Sequence, residues 1–275
     1  MKDWNIDFIT QLDFKNHVRD TIHVYGARLE SIDLARFNSN IIDPVKLIFD
    51  KTVYGQTWET TISNEIFRQR DKSNNNSIGY FHQRIFSYFQ HCHVPDNGKD
   101  GGWDVIYYNP DGVTLPDGSF VHTVYVEMKN KHNTMNSASS AKTYMKMQNQ
   151  LLYDDDCACF LVEAIAKKSQ NIRWETSVDG KKMGHKLIRR VSMDRFYEFV
   201  TGDKDAFYKI CMALPVIINE VIADGKEHLT PEDTAYEELL NIASVRQKEV
   251  GSDLAFAWAV YMLGFESYLG FTHHT

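Results

Sequence analysis

The sequence lacks the features that mark membrane, secreted and zinc–thiolate proteins. It has four cysteines in 275 residues, with no CxxC pair and no zinc spacing, so we expect reduced thiols and no metal bound by sulfur. No apolar run approaches the roughly 18 residues of a transmembrane helix. The first residues, MKDWNIDF, lack the hydrophobic segment of a signal peptide. These absences predict a cytoplasmic protein with no membrane partner.

Acidic residues outnumber basic ones. The chain has 30 lysines and arginines against 37 aspartates and glutamates, a formal net charge of −7. This balance argues against a protein coated in basic residues, although a nucleic acid requires only a local positive cleft. The chain has no internal repeat, low-complexity linker or clean domain boundary, and its 43% hydrophobic and 24% charged residues are typical of a globular protein. We therefore expect a single domain over residues 1–275.

Helical spacing dominates the first 90 residues. The pair Asp43-Pro44 places a capping residue before a proline at the first helical position, which predicts the start of a helix. A second helix is predicted from residue 58, and we expect it to end in the polar loop DKSNNNS at 71–77. A further helix, IGYFHQRIFSYFQ, is predicted at 78–90.

The apolar pattern changes in the middle of the chain. WDVIYYN (103–109) and FVHTVYVEMKN (120–130) are aromatic and β-branched runs, and the Asp-Gly steps and prolines between them predict turns of an antiparallel pair. Serines at 137–140 predict a helix cap, and CACFLVEAIA (157–166) predicts a strand buried on both faces. The order helix, strand, strand, helix, strand predicts an α/β (α+β) fold with a mixed central sheet flanked by helices.

Helical spacing returns after Ser192, which is predicted to cap the helix MDRFYEFV. Thr230-Pro231 predicts the start of another helix. The segment LAFAWAVYMLGF, 254–265, is apolar nearly all round, so we expect it to be buried either in the core or against a second subunit.

Acidic side chains and a lysine are predicted to meet at one edge of this sheet. Residues i and i+2 of a strand share a face, so Glu127 and Lys129 point the same way. Asp104 opens the preceding strand, and a hairpin would bring it beside Glu127. Two carboxylates suit Mg²⁺, which keeps waters for a substrate phosphate. A nearby ammonium would orient or deprotonate the attacking water, so this group of residues predicts phosphodiester hydrolysis.

The spacing alone also allows an ordinary interpretation. An acid followed two residues later by lysine occurs again at Asp13, Asp179 and Asp224, and the last two are Asp-Gly-Lys sequences typical of turns. Glu127 and Lys129 would then form a solvated surface ion pair at a strand end. Their strand context, with an acid before and a helix after, favours catalysis. A zinc interpretation of the histidines in HCH (91–93) competes with that of a simple helix end, because no third ligand is near in sequence.

Several motifs, in order, resemble those of a known family. Asp104 and, after 22 intervening residues, Glu127-Met128-Lys129 resemble the Asp…Glu-x-Lys signature of PD-(D/E)XK nucleases, whose core is a mixed sheet flanked by helices. NNNSIGYFHQRIF, GGWDVI and VEMKNKHNTMNSASSAKTYMKMQNQL together resemble type II restriction endonucleases that recognise GGNCC. A thinner similarity extends through RRVSMDRFYEFVTG, so the resemblance covers roughly residues 55 to 200. Gly102-Trp103 replaces the usual proline before Asp104, a departure that leaves the metal site intact.

The resemblance implies a Mg²⁺-dependent enzyme that cuts double-stranded DNA and leaves 5′-phosphates. It makes Asp104 and Glu127 metal ligands, adds the Met128 carbonyl as a third, and makes Lys129 the catalytic lysine. Gln83 stands where many such nucleases have a further glutamate, and it either positions a metal-bound water or satisfies a buried polar group. The chain then comprises a helical N-terminal part (1–75), a catalytic core (76–166), and a DNA-reading hairpin with a helical C-terminal part (167–275).

Two segments are candidates for DNA contacts. The stretch after the catalytic strand is expected to position phosphate more than to read bases, through Lys131, His132, Asn133 and Asn136. The segment NIRWETSVDGKKMGHKLIRR (171–190) predicts a hairpin with Asp179-Gly180 at its turn. Its candidates for base contacts are Arg173, Lys181, Lys182, His185 and Lys186. A solvated charged hairpin is the alternative.

The symmetry of a site such as GGNCC predicts a homodimer that presents one catalytic centre to each strand. A cognate DNA methyltransferase would share the site without having to bind the nuclease. Two other functions stay open. A PD-(D/E)XK repair or recombination nuclease would share the catalytic residues but usually works in a larger assembly, and the chain has no GxxxxGK[ST] loop. A catalytically silent DNA-binding protein is the other alternative.

Overall fold

Helices and six strands make up the computed structural model, which describes residues 6–26, 31–224 and 232–266. The Thr230-Pro231 helix start lies outside the described residues. The helices are α1 Gln11–Gly26, α2 Leu34–Ser39, α3 Pro44–Val53, α4 Trp58–Arg84, α5 Ser137–Tyr153, α6 Met193–Thr201, α7 Ala206–Asp224, α8 Ala235–Ser244, α9 Gln247–Val250 and α10 Ser252–Phe265. The strands are β1 Cys92–His93, β2 Val105–Thr114, β3 Phe120–Lys131, β4 Cys157–Ile165, β5 Asn171–Val178 and β6 Lys181–Ser192.

The strands form one mixed sheet in the order β1-β2-β3-β4-β6-β5. β1, β2 and β3 pair antiparallel, β3 pairs parallel with β4 through the crossover helix α5, and β4 pairs parallel with β6. β5 closes the far edge antiparallel to β6. The predicted antiparallel pair, the buried fourth strand and the late hairpin are all confirmed, and so is a mixed sheet flanked by helices.

The β2–β3 hairpin differs from its prediction in where it turns. The pairing register shifts between Tyr108 and Val113, so the first Asp-Gly step lies in an irregularity inside β2. Gly112 there has φ 68°, and a Cβ on it would lie 2.1 Å from the Phe120 ring, so the position requires glycine. Only the second Asp-Gly step, next to Leu115, forms the turn, where the Gly118 amide donates to the Leu115 carbonyl at 2.9 Å.

The predicted end of the second helix at 71–77 is wrong, because α4 runs without a break from Trp58 to Arg84. Buried residues flank the polar stretch on one helical face, Ile66 and Gln69 before it and Ser77 and Phe81 at its end and beyond. The Asn75 side chain donates to the Asp71 carbonyl four residues earlier, at 3.0 Å. Tertiary burial of this stripe outweighs the weak helix propensity of the asparagines.

The chain divides into two compact units. The first comprises Met1–Ile22 and Ser77–Lys226 and contains the whole sheet. Val124 and Val126 of β3 belong to the core cluster that also includes Phe160 of β4 and Phe196 of α6. The alternate residue Tyr125 packs against the cluster that contains Tyr144 and Met147 of α5. Because strand residues alternate, Glu127 and Lys129 share the α5 face with Tyr125.

Helix α7 corrects the expectation that no segment approaches the length and apolarity of a transmembrane helix. Among the described helices it is long and apolar enough to cross a membrane by length and composition. Its side chains at helical spacing, including Ile210, Ile217 and Val221, are buried in the core of the first unit. It also carries Lys209, which pairs with Asp203 at 2.7 Å. One face of α7 therefore packs against the core of the first unit, while Tyr208, Met212 and Ile222 on its other faces are exposed.

The second unit comprises His23–Asn76 and Glu227–Thr275. Asp43 caps α3 as predicted, because its Oδ1 accepts hydrogen bonds from the amides of Val45 and Lys46. Helix α10 packs against α8 and α3. Its residues Phe256 and Val260 are buried in the core of this unit. For these two residues, the predicted burial in the core is therefore confirmed, and burial against a second subunit is not needed.

Candidate active site

Asp104 lies at the entrance of β2, held against the neighbouring strand. The preceding Gly101 and Gly102 both have positive φ, 73° and 68°, a backbone conformation that favours glycine. The Asp104 amide donates to the Val126 carbonyl at 2.9 Å. Its Oδ2 accepts a hydrogen bond from the Met128 amide at 2.6 Å. Asp104 is therefore fixed next to the segment that carries Glu127.

Glu127 forms ion pairs through both of its oxygens. Lys129 Nζ lies 2.8 Å from Oε1, which confirms that residues 127 and 129 share a face. Lys146 Nζ, from α5, lies 2.8 Å from Oε2. The Glu127 side chain is only 16% exposed, so both pairs are screened less than a surface pair would be.

The two carboxylates have opposite pKa shifts. Burial raises the pKa of Asp104, and repulsion from Glu127 adds to the rise, although the Met128 amide and the two lysines oppose it. Burial also opposes ionisation of Glu127, but Lys129 and Lys146 outweigh it and lower the pKa of that carboxyl. Such divergent environments are typical of functional sites.

Lys146 is a residue of the candidate site that sequence reasoning missed. Besides Glu127, its Nζ contacts the Gly102 carbonyl at 2.7 Å and lies 4.0 Å from the centroid of the Trp103 ring. It therefore connects α5 to the turn before Asp104. The sequence signal was weak, because a lysine in the middle of a polar helix face is ordinary.

Gln83 lies next to Asp104, a position compatible with both roles predicted for it. It belongs to the last turn of α4, and its Nε2 donates to the Asp104 carbonyl at 3.2 Å. The amide oxygen of Gln83 is the group that could accept a hydrogen bond from a water. Its neighbour His82 has a lowered pKa because of burial, which favours the neutral ring.

The donor set fits a hard divalent cation. Asp104 and Glu127 supply carboxylate oxygens from adjacent strands, and a cation between them would relieve the repulsion that helps to raise the pKa of Asp104. Nowhere in residues 6–26, 31–224 and 232–266 do three or more His, Cys, Asp or Glu side chains gather as metal ligands. Mg²⁺ is usually bound by one or two carboxylates, with waters and substrate phosphates completing its coordination.

Comparison with known proteins shows which family the chain belongs to. The model of the family described as Eco47II restriction endonuclease matches residues 6–223. The chain belongs to the Eco47II restriction endonuclease family. The type II restriction enzyme Sau96I of Staphylococcus aureus is 29% identical over 226 residues, 79% of this chain and 81% of that protein. The type II restriction enzyme Eco47II of Escherichia coli is 25% identical over 229 residues, 80% of this chain and 89% of that protein.

The matched span of the Eco47II family includes all the residues of the candidate site, from Gln83 to Lys146. Both relatives are named type II restriction enzymes, and this family member is accordingly a type II site-specific endonuclease.

The first predicted DNA-contact segment follows the site directly. Lys131 and Asn133 are exposed. The His132 amide donates to the Ile165 carbonyl at 3.0 Å. Asn136 caps α5, since its Oδ1 accepts from the Ser139 amide at 2.9 Å, so the cap lies one residue before the predicted serines. In this Eco47II-family chain the segment is thus an ordered loop at the active-site end of β3.

The predicted hairpin at 171–190 is confirmed, with Asp179 and Gly180 at its turn at φ 49° and 75°. Its positive side chains are partly engaged with Glu175, which lies 2.5 Å from Lys182 Nζ and 3.4 Å from Arg173. Lys181 and Lys186 are exposed. Burial lowers the pKa of His185, and Lys186 and Arg173 lower it further.

One hydrogen bond connects this hairpin with the start of α5. The hydroxyls of Ser140 and Thr176 lie 2.8 Å apart, so β5 packs beside the first turn of α5 after the loop 131–136.

Two other predictions, on Ser192 and His93, are revised. Ser192 occupies the N-cap position of α6 but makes no capping bond, since its hydroxyl accepts from the Gln170 amide instead. His93 lies in the short strand β1 and not at a helix end, and its Nε2 lies 3.3 Å from Asp100 Oδ2.

Proposed function

We propose that this Eco47II-family chain is a Mg²⁺-dependent nuclease of the PD-(D/E)XK class that cuts double-stranded DNA at a short palindrome, GGNCC. One observation carries the proposal. Asp104 directly precedes β2, Glu127 lies on the antiparallel neighbour β3, and Lys129 Nζ lies 2.8 Å from Glu127 Oε1 on the same face. The choice of GGNCC rests on the sequence resemblance of the segments around residues 74–86, 101–106 and 126–151.

The side chains have distinct roles in this reaction. Asp104, Glu127 and the Met128 carbonyl would hold Mg²⁺, which supplies Lewis acidity and makes a bound water more acidic. Lys129, already on the carboxylate face, orients the attacking water and offsets the charge that develops on the phosphate. Gln83, anchored on the Asp104 carbonyl, keeps its amide oxygen for a hydrogen bond from that water. Attack at phosphorus with departure of the 3′ oxygen leaves 5′-phosphates.

Incubation of plasmid DNA with the protein and Mg²⁺ tests this function. Discrete bands whose sizes match the spacing of GGNCC sites support the proposal. Discrete bands at other positions keep the nuclease class but overturn the site. A smear or end-dependent loss would indicate a repair nuclease instead, and a gel shift without cleavage would indicate a DNA-binding protein.

The remaining expectations complete the proposal. The protein acts as a homodimer in the cytoplasm, with its cognate methyltransferase protecting the same DNA site. A duplex methylated within GGNCC should resist cleavage at that site, and mapping the cut ends by sequencing would check both the position of the cut and the 5′-phosphate.

A further inference from the structure

Lys146 gives the active site one cation more than the Glu127–Lys129 pair requires. A single lysine suffices to pair a carboxylate, yet Glu127 accepts from Lys129 on one oxygen and from Lys146 on the other, both at 2.8 Å. Asp104, Glu127, Lys129 and Lys146 together carry no net formal charge. A divalent cation would therefore leave the group positive, which favours an anionic substrate.

The position of Lys146 is fixed before any substrate arrives. Its ammonium donates to the Gly102 carbonyl at 2.7 Å and lies 4.0 Å from the centre of the Trp103 ring. Trp103 is itself 4% exposed, and its Nε1 donates to Gln150 of the same helix at 3.2 Å. A cation held this way loses little side-chain entropy when it meets a phosphate, because the ordering is already complete.

An open groove of about 550 Å³ extends from Lys146 along α5. It is lined by Gly101, Trp103, Lys142, Met145, Lys146, Asn149, Gln150 and Tyr153. None of these described lining residues is acidic, although the whole chain has a net charge of −7. Two lysines and two amide side chains supply the donors that position a DNA backbone.

We propose that Lys146 is a second active-site lysine that contacts the DNA phosphate beside Asp104 and Glu127, and that the groove along α5 holds the adjoining phosphodiester backbone. This inference rests on the proposed function. Lys146 pairs with Glu127 in the free protein, and when a metal ion occupies Glu127 the ammonium is available to the phosphate. Lys142, exposed one turn earlier on α5, contacts the next part of the strand.

Two readouts separate this role from a structural one. Wild type, Lys146→Met, Lys146→Arg and Lys142→Ala are compared with Lys204→Ala, an exposed lysine of the same unit outside the groove. Mn²⁺ binding without DNA is measured by electron paramagnetic resonance. Lys146→Met should bind Mn²⁺ more tightly than wild type, because Glu127 loses a competing cation. A merely structural lysine would have the opposite effect, since its loss would loosen the carboxylates and weaken Mn²⁺ binding.

The second readout is cleavage and binding of a 25-base-pair duplex. Lys146→Met should cleave about 10²-fold more slowly than wild type with Mg²⁺, and Lys146→Arg should recover part of the loss. Lys142→Ala should reduce the slope of log affinity against log salt by about 1. Lys204→Ala should match wild type.

The outcomes also separate this inference from the proposed function. Wild-type cleavage by Lys146→Met, weaker Mn²⁺ binding by that variant, or an unchanged salt slope in Lys142→Ala would overturn the inference alone, because the wild-type enzyme would still cut DNA. A wild-type protein that does not cleave DNA with Mg²⁺ would overturn the proposed function, and the inference with it.

Discussion

Arg190, which is partly exposed, forms an ion pair with the buried Glu163 one strand away from Lys129. Glu163 lies opposite Lys129 in the β3–β4 register and is 1% exposed. Arg190 Nε donates to Glu163 Oε1 at 2.9 Å, and its Nη2 donates to the His132 carbonyl at 3.1 Å. The guanidinium therefore both neutralises a buried carboxylate and holds the loop that follows β3.

Removal of Arg190 should be costly. Arg190→Ala leaves the Glu163 carboxylate buried without its charged partner, so we expect the free energy of unfolding to fall by about 3–5 kcal/mol in urea denaturation. The matched control is Arg195→Ala, because Arg195 pairs with Glu198 at 2.7 Å on the surface and should cost at most about 1 kcal/mol. Equal losses in the two variants would contradict this account of the pair.

His17 gives the fold a dependence on pH. Its Nε2 lies 3.0 Å from the Phe81 carbonyl, and burial lowers its pKa to about 4 despite that carbonyl. The ordinary value of about 6.5 applies after unfolding, so the unfolded chain binds the extra proton between about pH 6.5 and 4. The contribution is present above pH 6.5 and is lost as the pH falls through that window, by about 3 kcal/mol in total.

Denaturation of wild type and His17→Gln at pH 7, 5.5 and 4.5 checks this dependence. The glutamine amide retains a donor for the Phe81 carbonyl but cannot titrate, so the variant should lose less stability with acid than wild type. His23→Gln, on the exposed surface of the same helix, serves as control. If His17→Gln loses stability in parallel with wild type, the buried histidine is not the source of the pH dependence.

For the helices and strands, the sequence predicted which segments are buried but not which residues of different elements contact each other. β4 was predictable because a run of apolar residues bounded by polar ones allows few other structures. The continuity of α4 was not, because local propensity at its asparagines disfavours helix, whereas tertiary burial at Ser77 and Phe81 favours it. Asp104, Glu127 and Lys129 were found through strand alternation and hairpin pairing. Lys146 depends on the angle at which α5 crosses the sheet, which a sequence does not specify.

The β5–β6 hairpin is the element proposed to read bases. Lys182 and Arg173 both engage Glu175 in the free protein, so each must exchange that partner for DNA. If they contact guanine edges, Lys182→Ala and Arg173→Ala should each weaken binding to a GGNCC duplex by about 1–3 kcal/mol and barely change binding to random DNA. Binding is measured with Ca²⁺ in place of Mg²⁺, because its looser coordination permits binding with little cleavage.

An equal loss on both duplexes, together with a shallower salt dependence, would identify these side chains as phosphate contacts. The base-reading role would then belong to another segment. Lys168→Ala, an exposed lysine between β4 and β5, is the control for a general loss of positive charge.

At the scale of the whole molecule, one chain carries one set of Asp104, Glu127 and Lys129. A palindromic site has equivalent phosphates on both strands, so a homodimer with matching symmetry would cut both strands in one binding event. Light scattering should give about 64 kDa, twice the 31.9 kDa of the chain. Nicking kinetics should show little open-circular plasmid before linear product. A stable monomer on DNA that accumulates nicked circles would contradict the dimer.

Single-turnover cleavage of a duplex carrying one GGNCC site tests whether Asp104 and Glu127 form the catalytic metal site. Wild type, Asp104→Asn and Glu127→Gln are compared with Mg²⁺, and Asp96→Asn, an exposed acid paired with Lys99 at 2.9 Å, is the control. Both site variants should fold and bind the duplex but cleave at least about 10²-fold more slowly, while the control cleaves like wild type. Wild-type rates in either folded site variant would show that Asp104 and Glu127 do not form the catalytic metal site.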